Sequence, residues 1–170
     1  MVTIRPETSA DHTAVYEINQ RAFEQDKEAD LVDQLRQSTA SYVSLVAETE
    51  TRIVGHIFFS PVDIVPDEKS VLAMGLAPMA VIPEWQRQGI GSMLVREGLH
   101  ACQKKGVQAV VVLGHPAYYP RFGFQPAEKL GLQSEYDVPS EVFMALELER
   151  GALQEAEGVV RYHDAFHSAK

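Results

Sequence analysis

The stretch Ala80-Val81-Ile82-Pro83-Glu84-Trp85-Gln86-Arg87-Gln88-Gly89-Ile90-Gly91 passes from an apolar strand pattern, through a proline and two glycines, into a helical pattern. Such a junction gathers backbone NH groups, because the first turn of a helix has donors without intrahelical acceptors and a partial positive charge. Amides from Gln88 through Gly89, Ile90 and Gly91 to Ser92 are therefore suited to cradling a pyrophosphate. Glycine lets the backbone approach the ligand, and Arg87 adds a full positive charge. Two nucleotide motifs that use a glycine turn fail on spacing. A P-loop requires Lys and then Ser or Thr after its last glycine, whereas this chain continues Gly91-Ser92-Met93. A dinucleotide fingerprint requires a third glycine where Leu94 stands, and an acidic residue where the apolar run around Val111 falls.

Outward from that junction, the helical spacing predicts a helix over Gly89 to Lys105, then a buried strand over the apolar run Val107 to Leu113. Upstream, Val71 to Ile82 is an apolar strand interrupted by Gly75 and Pro78. Period-two segments from Tyr42 and from Ile53 to Val65 predict a hairpin, and Pro66 to Lys69 a polar turn. The N-terminal part begins with a strand over Val2 to Arg5. A helix capped by Ser9 follows and ends near Phe23, then a second over Glu28 to Gln37. After the aromatic segment His115 to Phe124 come a loop and a last strand at Val142 to Leu148, and Val159, Val160 and Tyr162 are able to add one more. Strand, helix, strand order with hairpins predicts an α/β domain with a mixed sheet.

The 170 residues fit one domain with a core that needs no disulfide or metal staple. A single cysteine and a polar N-terminus predict a cytoplasmic protein, and no apolar run is long enough to span a membrane. The net charge of -9 argues against nucleic acid as a partner.

The pattern Gln86-x-x-Gly89-x-Gly91 after Val81-Ile82-Pro83 resembles the acyl-CoA-binding motif of the GNAT superfamily of N-acetyltransferases. Tyr119-Pro120-Arg121-Phe122-Gly123-Phe124 is similar to the family's Tyr-x-Arg/Lys-x-Gly-Phe segment. The wording from Gly75 to Gly91, with Gly55-His56-Ile57-Phe58-Phe59-Ser60-Pro61 upstream, resembles a bacterial subgroup of uncharacterised GNAT enzymes. The chain departs at Gly114-His115, where many relatives have Asn. The resemblance covers Val2 to Leu148 and implies a GNAT-like mixed central sheet with a splayed pair of parallel strands flanked by helices. Residues 1–150 would form the domain, with 151–170 as an extension that is either docked or loose.

The implied cosubstrate is acetyl-CoA, with no metal, and the implied reaction is acetyl transfer to a primary amine of a small molecule, peptide or protein by direct attack in a ternary complex. Arg87, Gln88, Gly89, Ile90, Gly91 and Ser92 would hold the pyrophosphate. Met79, Ala80 and Val81 would hold the pantetheine arm, in a gap between Met74 to Ile82 and Val107 to Leu113. Pro78 has no NH, which breaks the ladder beside it, and Gly75 tolerates a bulge or close approach. Tyr119 would be the general acid for the departing sulfur. An amine near pKa 10.4 also needs a base, for which His56 and Glu28 are the candidates.

Other features read as ordinary structure. Cys102 repeats with Leu94 and Gly98 on one helix face, as a buried inert thiol would. His163-Asp164-Ala165-Phe166-His167 superficially resembles a zinc helix without a third ligand. A non-catalytic acyl-CoA sensor would keep the glycine turn and dispense with the proton-transfer groups. The chain is expected to be a monomer or a homodimer, with the strand at Val159 to Tyr162 as a dimer edge.

Overall fold

A computed structural model describes residues 1–66 and 70–168. Most of the turn predicted at Pro66 to Lys69 lies outside the described residues. Strand β1 (Thr3–Pro6) leads into helices α1 (His12–Phe23) and α2 (Lys27–Ser38), then strands β2 (Val43–Glu48), β3 (Ile53–Val65) and β4 (Ala73–Val81). Helix α3 (Ile90–Lys104) and strand β5 (Ala109–Leu113) follow. The short strands β6 (Gln125–Pro126) and β7 (Leu132–Ser134) precede β8 (Phe143–Glu147), β9 (Gly158–Arg161) and the single turn α4 (Ala165–Ser168). Among the described residues the strand order is β1-β2-β3-β4-β5-β8-β6, and β9 pairs with β3 and β7. The β4–β5 pair is parallel and the β5–β8 pair antiparallel, so the sheet is mixed.

The chain forms two compact units that alternate along the sequence. One comprises Met1–Ser60, Ala77–Ala101 and the residues from Asp164 onward. The other comprises Pro61–Leu76 and Cys102–His163.

In the first unit, Val15 of α1 and Leu31, Val32 and Leu35 of α2 bury against Val46 and Phe58 of the strands, with Ala165 of α4 in the same cluster. Full burial of side chains this size contributes about 1.5–3 kcal/mol each, which outweighs the weak intrinsic helicity of two twelve-residue segments. Ser9 does not cap α1 but opens a 3-10 turn, Ser9–Asp11, that leads into it. Thr8 takes the extended cap conformation of that turn, and the Asp11 carboxylate accepts from the Thr8 NH at 2.7 Å. The same carboxylate takes two hydrogen bonds from Arg5, at 2.7 and 3.0 Å, and Arg5 also donates to Glu48. Arg5 thereby holds Asp11 well below the usual carboxylate range.

Helix α3 lies close on β3 because a glycine stands at the contact on each, Gly55 on the strand and Gly98 on the helix. A Cβ at Gly55 would stand 3.2 Å from Leu94 Cδ1 and 3.3 Å from Ile90 Cγ2. A Cβ at Gly98 would stand 2.4 Å from Phe59 Cε1.

In the second unit, Ala109 to Val112 are all buried, as the continuous apolar run predicted, and β5 pairs along its whole length with β8. The segment read as a loop between Phe124 and Val142 contains β6, β7 and two 3-10 turns, Ala127–Leu130 and Ser140–Val142. Strands of two and three residues are too short to leave a period in the sequence. The extra strand near the C-terminus exists as β9, which contains Val159 and Val160 and stops before Tyr162. It pairs antiparallel with Asp63 to Val65 of β3 and parallel with β7. Both of its edges are therefore occupied, which corrects the expectation that this strand offers a dimer edge.

Gly98→Ala tests the seat of α3. Alanine gains about 1 kcal/mol of helix propensity, but overpacking against the buried Phe59 ring costs about 1–3 kcal/mol. A net loss is expected in urea unfolding, and Phe59→Leu in the same chain should recover part of it.

Candidate active site

Strand β4 ends at Val81, and the Ile82 NH donates to the Val54 carbonyl at 3.0 Å. Pro83 opens a 3-10 turn, a place where its missing NH costs nothing. Gln86 then folds back, its Nε2 donating to the Val81 carbonyl at 2.8 Å. The motif glutamine thus ties the turn to the end of the strand. Arg87 has φ +62° and Gly89 φ +83°. Two left-handed residues bracket Gln88, an alternation of the kind from which anion-binding nests of backbone NH groups are built. A non-glycine residue in this region costs about 1–2 kcal/mol, so the Arg87 conformation is held by its surroundings. The Met93 NH donates to the Gly89 carbonyl at 3.1 Å, which makes Gly89 the start of the α3 ladder and leaves the first-turn amides outside it. Arg87, Gln88 and Gly89 are exposed, Gly91 and Ser92 half-buried, and Ile90 is buried as the anchor. A Cβ at Gly89 would meet nothing within 4 Å, so φ alone demands glycine there. Glu84, just ahead of the nest, is paired at 2.5 Å with Arg21 of α1, which lowers its pKa.

In the C-terminal half of β4, Pro78 and Ala80 are buried, while Met79 and Val81 are half-exposed. Pairing of β4 with β5 is confined to Ala73↔Ala109, Met74↔Val110 and Gly75↔Val111. The expected gap therefore does not begin at Met74, since Met74 and Gly75 are paired.

Tyr119 opens the 3-10 turn Tyr119–Phe122 and is 8% exposed. Its ring meets Tyr118 edge-on at 5.0 Å and Phe124 at 5.7 Å, the folded aromatic corner expected for this segment. Burial pushes the phenol up to about 12, so it holds its proton at neutral pH and has one to donate. The ring presses on Gly114, where a Cβ would stand 2.3 Å from Tyr119 Cε2. The departure at Gly114-His115 thus has a physical reason, since any side chain at 114 would displace the tyrosine.

His56 is fully buried. Asn19 Nδ2 lies 3.3 Å from its Nδ1, and Ser44 Oγ lies 2.9 Å from its Nε2. Because the Asn19 amide also donates to the Val15 carbonyl at 3.0 Å, Nδ1 is the acceptor and Nε2 carries the hydrogen toward Ser44. Burial pushes the imidazole down to about 3. A ring sealed in this way does not meet a diffusing amine, and its physical role is to satisfy polar groups beneath α1. Glu28, in the first turn of α2, is half-buried at the surface and accepts from Gln25 Nε2 at 2.9 Å.

A cavity of about 730 Å³ beside α1 is lined by Asp11, Glu17, Glu48 and Glu50 together with Arg21 and Arg52. Carboxylates outnumber guanidiniums there and none of residues 86–92 takes part, so it is unsuited to phosphates.

Residues 3–127 match the Acetyltransferase (GNAT) domain. The chain belongs to the GNAT family of N-acetyltransferases. It is 36% identical over 165 residues to the uncharacterized N-acetyltransferase YhbS of Escherichia coli K12, covering 96% of this chain and 98% of that one. It is 42% identical over 135 residues to the uncharacterized N-acetyltransferase YjhQ of the same organism, covering 78% and 75%. The crystal structure of Escherichia coli YhbS in complex with CoA superposes with a TM-score of 0.89 at 36% identity, over 98% of this chain and 92% of that one. A GNAT family acetyltransferase from Brucella melitensis in complex with acetyl-CoA superposes with a TM-score of 0.80 at 35% identity, over 98% of each chain.

Within this GNAT enzyme the remaining sequence candidates take structural places. Cys102 is buried, and burial pushes its thiol up to about 12, where it is neither a nucleophile nor a ligand. Helix α4 begins only at Ala165, so His163 and His167 do not share a helical face. Among the described residues no group of His, Cys, Asp and Glu is arranged to hold a metal, and no helix is long and apolar enough to cross a membrane. Sequence reasoning passed over the tie from Gln86 to Val81 and the fit of Gly114 to Tyr119. The first was visible only as a motif letter, and the second needs contacts that spacing does not encode.

His56 makes stability depend on pH. Between roughly pH 6.5 and about pH 3 the unfolded chain carries a proton on this ring and the folded chain does not. Stability should therefore fall as pH is lowered through that window, by at most about 1.4 kcal/mol per pH unit from this group. Urea titrations from pH 7 to pH 5 should show this slope, and His56→Gln should flatten it by one proton.

Proposed function

We propose that this GNAT enzyme transfers the acetyl group of acetyl-CoA to a primary amine by direct attack in a ternary complex. The observation that carries the reading is the left-handed turn at Arg87 and Gly89 leading into α3. It presents amides and one cation to an anion in a chain of net charge -9. The CoA and acetyl-CoA complexes of the relatives support the choice of ligand. Arg87 and the backbone from Gln88 to Ser92 hold the pyrophosphate. Met79, Ala80 and Val81 present main-chain groups to the pantetheine arm in the manner of an added strand.

The neutral amine nitrogen attacks the thioester carbonyl carbon, the C–S bond breaks as the new C–N bond forms, and the sulfur leaves with the electron pair. Tyr119 supplies the proton to that sulfur, a role that suits a phenol kept protonated by burial. The amine's proton leaves toward solvent, with Glu28 as the receiving carboxylate. His56 is left out of this sequence because it is sealed beneath α1. The acceptor is a small molecule, a peptide or a protein, and Glu24 to Lys27 with the residues after Phe124 set the choice among them.

Calorimetry with CoA tests the cofactor. Valine at φ +83° costs about 1–2 kcal/mol, so Gly89→Val should weaken CoA binding about tenfold. A wild-type protein silent toward millimolar CoA would end the reading. A panel of amines read by release of free CoA identifies the acceptor. With that acceptor Tyr119→Phe should lower kcat by about 10²–10⁴ and change KM for acetyl-CoA less than about threefold. Unchanged kcat would remove Tyr119 as the acid.

A further inference from the structure

Arg21 stands in the last turn of α1, where a cation also suits the helix dipole. It is 63 positions before Glu84, yet its guanidinium donates to Glu84 Oε1 at 2.5 Å. Both residues belong to the first compact unit. The two side chains are 42% and 49% exposed, and an ion pair in contact with water adds little to the stability of a fold. Its effect is to be sought in what lies beside Glu84.

Glu84 is the middle residue of the 3-10 turn Pro83–Trp85 and comes three residues before Arg87, the first left-handed residue of the glycine turn. Gln88, the residue between the two left-handed positions, reaches back to it, Nε2 donating to the Glu84 carbonyl at 3.4 Å. The carboxylate therefore belongs to a residue one side chain's length from the backbone assigned to the pyrophosphate. An unmasked carboxylate there opposes an incoming anion, in a chain that already has a net charge of -9. Arg21 places a cation directly on it and holds it below the usual carboxylate range, with Arg52 adding a weaker attraction.

We propose that Arg21 is a positioning residue for the cofactor: by engaging the Glu84 carboxylate it removes one negative charge from the approach to the pyrophosphate. This rests on the acetyl-CoA reading above. It assigns α1 a part in cofactor binding that the motif residues 86–92 do not contain.

Calorimetry of the full chain with acetyl-CoA, in low salt and in about 0.5 M KCl, tests the proposal. In low salt Arg21→Ala should weaken binding about threefold to tenfold, and added salt should shrink that ratio to within about twofold. Glu84→Gln removes the charge and releases Arg21, so it should bind at least as tightly as the wild type. The double variant should return to within about twofold of the wild type, because the two residues act through one contact. Urea unfolding of all three variants should stay close to that of the wild type. A brace that merely stiffens the turn would weaken both single variants alike, at either salt. A direct contact of Arg21 with the phosphates would leave the double variant as weak as Arg21→Ala. Either result, or an Arg21→Ala chain that binds like the wild type in low salt, overturns the proposal and leaves the acetyl-CoA reading standing. A wild-type chain silent toward acetyl-CoA at both salts overturns the two together.

Discussion

Helix α3 can lie against β3 because the facing positions Gly55 and Gly98 have no side chain, and the Phe59 ring fills the space beside Gly98. Close packing of this kind is unforgiving of a displaced methylene, so the helix has one depth and one register on the strand. Its first turn is thereby held in one place, with Ile90 buried beneath and Gly89 and Gly91 above. The tie from Gln86 to the Val81 carbonyl fixes the other end of the same turn. A nest of amides works only if it is rigid before the anion arrives, since ordering it on binding would consume the affinity it supplies. The apolar seat of the helix and the polar function of its N-terminus are therefore one arrangement.

The interior beneath α1 shows the opposite economy. Asn19, His56 and Ser44 place polar atoms among Phe58, Val15 and Val46, where an unpaired group costs about 1–3 kcal/mol. The trio satisfies most of its own demand through two contacts to the imidazole and one to the Val15 carbonyl, while Asn19 Oδ1 has no hydrogen-bond partner among the described residues. A histidine on an inward-facing strand position looks catalytic in a sequence because its chemistry is versatile. Its surroundings here leave it one tautomer.

Long periodic segments were legible in the sequence. β3 and β5 and helices α1 and α3 follow their apolar spacing to within a few residues, and the glycine turn was legible because its physics is local. Features made by distant residues were not. The two-residue β6 and three-residue β7 exist only as partners of β8 and β9, with no pattern of their own. Gly114 was noticed as a departure from relatives, yet its reason is the Tyr119 ring, which reaches it only after the chain has turned at His115.

The strands at the two ends of the main strand order, β1 and β6, share a construction. β1 has four residues and ends in Pro6, with its Arg5 engaged by two carboxylates, and β6 has two residues and ends in Pro126. A proline offers no amide to a newcomer, and a strand so brief gives it little length along which to align. These two rims are thus poor templates for stacking one chain onto the next. The open-ended fibrils to which exposed sheet borders are prone find no starting point at either one.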